Sequence, residues 1–161
     1  MEAKAKLLGH PIHQMLIVFP LGLLGMGVIF DIVFMSTDDP VFNAVAYWMI
    51  VAGIVGGLVA APFGFIDWLG IPRGTRAKRI GAVHGIGNVI IVSLFIGSVL
   101  LRGGDTAAPS SAAYACSFIG LLMALVTGWL GGELVNQLGI GVNDAANVDA
   151  PSSLHKAHRV T

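Results

Sequence analysis

The residues best suited to chemistry are histidines and carboxylates at the edges of long apolar stretches. His10 and His13 stand three apart and share a face on a helix, with Pro11 suited to its first turn. His84 is followed at i+4 by Asn88, again on one face. Asp67 and Glu133 close two other apolar stretches, with Asn136 and Gln137 a turn beyond Glu133. Neutral imidazole with carboxylate suits a first-row transition-metal ion, and helix bundles supply such ligands from facing helices. For an ion, the expected ligands are His13, His84, Asp67 and Glu133. A two-metal carboxylate site would need more Glu and a Glu-x-x-His pair, which the sequence lacks. Two imidazoles alone suit the axial positions of haem b. His13 and His84 would hold it, with His10 as the substitute for His13. Gly81 and Gly85 would leave room for a porphyrin edge, with Asn88 alongside. A third chemistry is a proton relay or a quinone headgroup site, with His and carboxylate as hydrogen-bond partners. A plainer role stands beside all three. A histidine at a helix mouth can cap backbone groups, and Asp67 and Glu133 can reach water or pair with Arg76 and Arg79.

The composition says which elements must position these groups. Charged residues make up 11% of the 161 residues, against about 25% in a soluble domain. Hydrophobic residues reach 55%, and nine Lys+Arg balance nine Asp+Glu. A basic nucleic-acid binder is excluded, because phosphate neutralisation needs an excess of clustered cations. A disordered chain would be polar and highly charged. A disulfide scaffold is excluded because Cys116 is the single cysteine. What remains is a protein whose partner is the lipid bilayer.

Four stretches are long and apolar enough to span it: 15–35, 41–66, 80–101 and 112–134. Their apolar runs are continuous rather than alternating, which argues against a β-barrel. The first run is too long for a signal-peptide core and is read as a retained helix. The expected fold is all-α, an integral membrane four-helix bundle over residues 1–142, with a flexible cytoplasmic tail over 143–161. With four spans, Lys4, Lys6, Arg73, Arg76, Lys78, Arg79, Lys156 and Arg159 share one side, and only Arg102 lies on the other. The positive-inside rule makes the first side cytoplasmic and places both termini there. The histidines and the two span-ending carboxylates then belong to the cytoplasmic half.

Gly53–Gly57, Gly81–Gly85 and Gly128–Gly132 have GxxxG spacing, which permits close helix approach. Pro20 and Pro62 fall inside the first two spans and are expected to kink them. Asp31, a turn from the outer end of the first span, is expected to snorkel outward. Asp67-Trp68-Leu69-Gly70 and Trp129-Leu130-Gly131-Gly132-Glu133 both end even spans, and His13 and His84 both begin odd ones, which hints at a duplication. Those landmarks do not share one register. In the tail, His155 and His158 flank Lys156 and read as a basic end near anionic lipid.

Gly9-His10-Pro11-Ile12-His13 followed by Phe19-Pro20 resembles the opening of bacterial membrane proteins called domain of unknown function 2231. Asp67-Trp68 with Arg76, His84-x-x-x-Asn88, Gly131-Gly132-Glu133-Leu134-Val135 and Gly139-Ile140-Gly141-Val142 fit the same pattern. Gln14 and Asn136 depart from it, where Pro and Tyr would be expected. The resemblance implies four membrane helices and, since some members are fused to Rieske iron–sulfur domains, membrane redox chemistry. This chain has no cysteine pair for such a cluster. The expectation is a small multi-pass protein of the bacterial inner membrane, not an enzyme on its own. It would hold haem b or a metal ion as a homo-oligomer or as a subunit of a redox complex. A structural subunit and a transporter are the other classes.

Overall fold

The computed structural model describes residues 1–154, so the tail residues His155, Lys156, His158 and Arg159 lie outside the described part. The chain opens with a two-residue hairpin, β1 (Lys6–Leu7) with β2 (His10–Pro11). Leu8 and Gly9 turn it with positive φ, which Gly9 adopts without strain. His10 therefore sits on a strand and not on the first helix, contrary to the spacing argument. Five helices follow: α1 (Ile12–Leu16), α2 (Val18–Thr37), α3 (Pro40–Gly70), α4 (Arg76–Arg102) and α5 (Ser111–Gly132). A π-helical turn, Glu133–Gln137, extends α5. Pro20 has no N–H to donate to Leu16, and α1 and α2 meet there at an irregular residue, Ile17. Pro62 leaves α3 one continuous helix of 31 residues.

The helix starts are set by side chains. Asp39 accepts from Val41 N at 3.0 Å with Pro40 in the first turn, Thr75 from Lys78 N at 3.1 Å, and Ser110 from Ala113 N at 3.2 Å. Four helical units, Ile12–Thr37, Pro40–Gly70, Arg76–Arg102 and Ser111–Gln137, are long and apolar enough to cross a membrane. Each is 26 residues or more, and at 1.5 Å per residue that exceeds the roughly 30 Å hydrocarbon core. The outer faces carry large exposed apolar side chains such as Ile32, Val55, Leu58, Val89, Leu100 and Leu122. Water would not tolerate so much, whereas lipid does.

α2 packs on α3 and α4 on α5 as two hairpins, joined through α3–α4 and α2–α5. The interior is built from small and large residues together at alternating four- and three-residue steps, the pattern of left-handed bundle packing. Pro20, Leu24, Gly27 and Asp31 are buried on α2, and Ile91, Phe95, Ser98 and Arg102 are buried on α4, each 71 residues later. Ala46, Ile50, Gly53 and Ala60 on α3 are matched at a second constant offset by Ala113, Ser117, Gly120 and Thr127 on α5. The contacts repeat as well. A Cβ on Gly53 would lie 2.7 Å from Leu24, and one on Gly120 would lie 2.9 Å from Phe95. The two hairpins thus share one internal register, in which Asp67 and Trp68 match Leu134 and Val135. The pairing of Asp67-Trp68 with Trp129–Glu133 suggested by sequence is displaced.

Asp31 does not snorkel. Both it and Arg102 have fully buried side chains, and they form a bidentate ion pair at the end of the bundle away from the histidines. Arg102 Nη1 donates to Asp31 Oδ1 at 2.7 Å and Nη2 donates to Oδ2 at 2.5 Å. Arg102 Nε donates to Ser98 Oγ at 3.3 Å, and Ser117 Oγ donates to Asp31 Oδ2 at 3.4 Å. A lone charge within a span costs roughly 2.5–3.5 kcal/mol on insertion scales, so pairing with these hydroxyls outweighs reaching for water. The α4–α5 loop is clamped nearby by Asn43, which donates to the Asp105 and Ala107 carbonyls at 2.9 and 3.0 Å. Arg102→Met leaves Asp31 buried without a counter-charge and is expected to cost about 3–5 kcal/mol. The double variant Asp31→Leu, Arg102→Met is expected to recover most of that. Thermal unfolding in detergent compares the three proteins.

Candidate functional site

At the other end of the bundle the N-terminal segment, the end of α3, the start of α4 and the end of α5 come together. His13 on α1 reaches α3: its Nδ1 lies 3.0 Å from the Ala60 carbonyl. A carbonyl only accepts, so Nδ1 carries the proton and Nε2 the lone pair. The ring lies over Gly64, where a Cβ would come within 2.7 Å of Cε1. His84 on α4 repeats this against α5. Its Nδ1 is 2.8 Å from the Thr127 carbonyl, and a Cβ on Gly131 would be 3.2 Å from its Cε1. Ala60 and Thr127, like Gly64 and Gly131, are matched positions in the shared register. Each hairpin therefore holds one half-buried imidazole in a glycine notch, tied by Nδ1 to main chain.

The two imidazoles differ at Nε2. That of His13 makes no hydrogen bond among the described residues. That of His84 accepts from Asn88 Nδ2 at 3.0 Å, and the same amide donates to the His84 carbonyl at 3.0 Å. Asn88 Oδ1 accepts from Thr127 Oγ1 at 3.2 Å, which closes a ring of His84, Asn88 and Thr127. The i+4 spacing of His84 and Asn88 is realised as contact. Thr127 was not singled out by sequence. A hydroxyl in mid-helix, one turn before Gly131, was the available signal.

The other expected ligands are engaged elsewhere. Asp67 Oδ1 accepts from the backbone amides of Lys4 and Ala5 at 2.6 and 2.9 Å, tying the N-terminal segment to the end of α3. Glu133 pairs with Arg76 at 2.5 Å, one of the two loop cations proposed for it. His10 is exposed, with its Nε2 3.2 Å from Ser153 Oγ, outside the histidine pair. Among the described residues, no three His, Cys, Asp or Glu side chains converge as a metal-ligand set. The space over Gly81 is taken by the Trp68 ring, which itself carries Lys78 over its face at 3.8 Å. Gly85 is exposed with nothing near its Cβ position. Residues 143–154 form turns, with Ser153 against Gly9 and His10.

A cyclic bundle of four candidate spans, with large apolar side chains covering its outer faces, defines a multi-pass membrane protein. A family model described as a predicted membrane protein, DUF2231, matches residues 9–144, and the chain belongs to that family. No curated protein and no solved structure gives a significant match.

The Asn88 ring fixes the His84 tautomer. In protein labelled with 15N-histidine, His84 is expected to show a protonated Nδ1 and a hydrogen-bonded, unprotonated Nε2. Asn88→Leu is expected to move the Nε2 resonance and leave Nδ1 in place. An unchanged Nε2 signal in that variant contradicts the assigned ring.

Proposed function

We propose that His13 and His84 form a two-imidazole ligand site, best matched to haem b, in a small membrane redox subunit that is not an enzyme on its own. The observation that carries this reading is the pair of Nδ1 contacts to the Ala60 and Thr127 carbonyls. Such contacts orient an imidazole and leave the lone pair on Nε2, the nitrogen that a metal would take. The glycine notches let each ring lie close against its neighbouring helix. Bound haem b would supply one-electron exchange at a potential tuned by its axial ligands. Asn88 must give up Nε2 of His84 for ligation, and its amide then still has the His84 carbonyl as partner. A single ion held also by Asp67 and Glu133 is less well supported, because both carboxylates already have partners.

A second reading is favoured by the Asn88 contact itself. His84 accepting a hydrogen bond at Nε2 is arranged as a neutral hydrogen-bonding group, as a quinone headgroup or proton-relay site would use it. Protein purified from haem- and metal-replete cells distinguishes these readings. The expected result is a Soret band that shifts on reduction and is lost in both His13→Ala and His84→Ala, with iron by elemental analysis. Absence of both the band and stoichiometric metal rejects the haem and ion readings and leaves the hydrogen-bonding one.

The histidine end is assigned to the cytoplasmic side of a bacterial inner membrane. Lys4, Lys6, Arg73, Arg76, Lys78 and Arg79 all lie there, and Arg102 at the other end is neutralised inside the bundle. Partners would be a second copy or a larger membrane redox complex, met through the apolar outer faces. Single-cysteine labelling in Cys116→Ser protein tests the orientation. A cysteine in the α3–α4 loop, residues 71–75, is expected to resist impermeant maleimide in intact cells, and one in the α4–α5 loop, residues 103–110, is expected to react.

A further inference from the structure

The ion pair and the histidine pair occupy matched positions, and this extends beyond the proposed site. Asp31 and Arg102 stand at one position of the shared register, as His13 and His84 do. Two equivalent positions can touch each other only where they straddle the axis that relates the two halves. Asp31 and Arg102 do touch, through two hydrogen bonds.

We infer that the protein is a fused pair of equivalent two-helix units, each the docking partner of the other, and that the Asp31–Arg102 pair on their axis makes an acid-bearing unit accept only a base-bearing one. This inference is independent of what the histidines bind. Two acid-bearing units would bring carboxylate against carboxylate in a buried place, and two base-bearing units would bring guanidinium against guanidinium. The opposite charges therefore enforce the union of unlike halves within one chain over the pairing of like halves from two chains.

The surroundings of the pair differ between the units in a matching way. On the arginine side, Ser98 accepts from Arg102 Nε and also donates to the Ala113 carbonyl at 2.8 Å. The matched position on the acid side is Gly27, whose Cβ would lie 3.4 Å from the matched carbonyl, that of Ala46. Ser117 donates to Asp31, and its counterpart is Ile50, which fills the space beside Gly27: a Cβ on Gly27 would be 2.7 Å from Ile50 Cγ1. Gly27 with Ile50 and Ser98 with Ser117 are thus the packing and hydroxyl versions of one pocket. The lock has a polarity, and its polarity should be transferable between the units.

The test reverses the lock in the full chain. Asp31→Arg alone and Arg102→Asp alone are expected to abolish monodisperse protein in detergent. The exchange Asp31→Arg, Arg102→Asp is expected to restore it with a lowered Tm. Adding Gly27→Ser, Ile50→Ser, Ser98→Gly and Ser117→Ile moves the hydroxyls and the packing residue with the charges. This is expected to raise the Tm above that of the two-residue exchange, by roughly 2–4 °C for each hydrogen bond regained. If the positions are not equivalent, the four added changes place a serine under a helix contact and an isoleucine in a filled site, and they lower the Tm further. A six-residue exchange no more stable than the two-residue one, or one that yields no monodisperse protein, overturns the inference.

Discussion

Inside a bilayer no hydrophobic force draws helices together, because lipid tails are as apolar as leucine. Association must come from close backbone approach and from polar groups that find partners in the bundle. Both are concentrated on the inner faces of this chain. Gly27, Gly53, Gly120 and Gly131 sit where a Cβ would meet the facing helix, and the buried polar side chains of Asp31, Ser98, Arg102, Ser117 and Thr127 are bonded to one another or to main chain. Many large apolar residues are also sent outward, beyond a core of Leu24, Val28, Ile50, Ile91 and Phe95, which a water-soluble bundle would not tolerate. The same demand explains why Arg102 turns inward. It lies at the end of α4, where a long side chain could snorkel, yet Asp31 and Ser98 offer acceptors to all three of its nitrogens.

Pairing the buried charges also divides the labour along the bundle. At the far end, opposite charges are fully paired and consume their own donors and acceptors. At the histidine end, the bonding stops short: His13 Nε2 is left with a lone pair and no protein partner among the described residues. The carboxylates that might have closed the site are used for architecture. Asp67 fastens the N-terminal segment by two backbone amides, and Glu133 ties the α5 end to the start of α4 through Arg76. Both carboxylates therefore hold the mouth of the bundle in shape.

Span number and boundaries were legible because a span announces itself by the absence of charge over its length. Asn88 beside His84 was legible from i+4 spacing, and Arg76 was one of the two loop cations, with Arg79, open to Glu133. Asp31 with Arg102 was not, because they are far apart in sequence and each is near a helix end where snorkelling is an equal alternative by sequence alone. The signal lay in their being the two opposite charges in the far half of the spans. His10 was misplaced because spacing assumes one helix through both histidines, whereas Leu8 and Gly9 turn the chain into a hairpin first. The tryptophans and acids at the helix ends do not carry the repeat. It lives in buried small residues, whose identities change from Gly to Ser and from Ala to Thr while their positions stay fixed.

That last distinction bears on the two imidazoles. The backbone gives His13 and His84 the same setting, a carbonyl at Nδ1 and a glycine under the ring. The side chains around them do not match: Asn88 has Ile17 as its counterpart, and Thr127 has Ala60. In the second unit a hydroxyl and an amide close a ring on Nε2, and in the first unit apolar residues leave it open. Duplicated geometry with divergent neighbours gives one imidazole a protein donor at Nε2 and leaves the other without one among the described residues. In the proposed site, a ligand would meet His13 Nε2 without a competing protein donor and His84 Nε2 only by displacing Asn88.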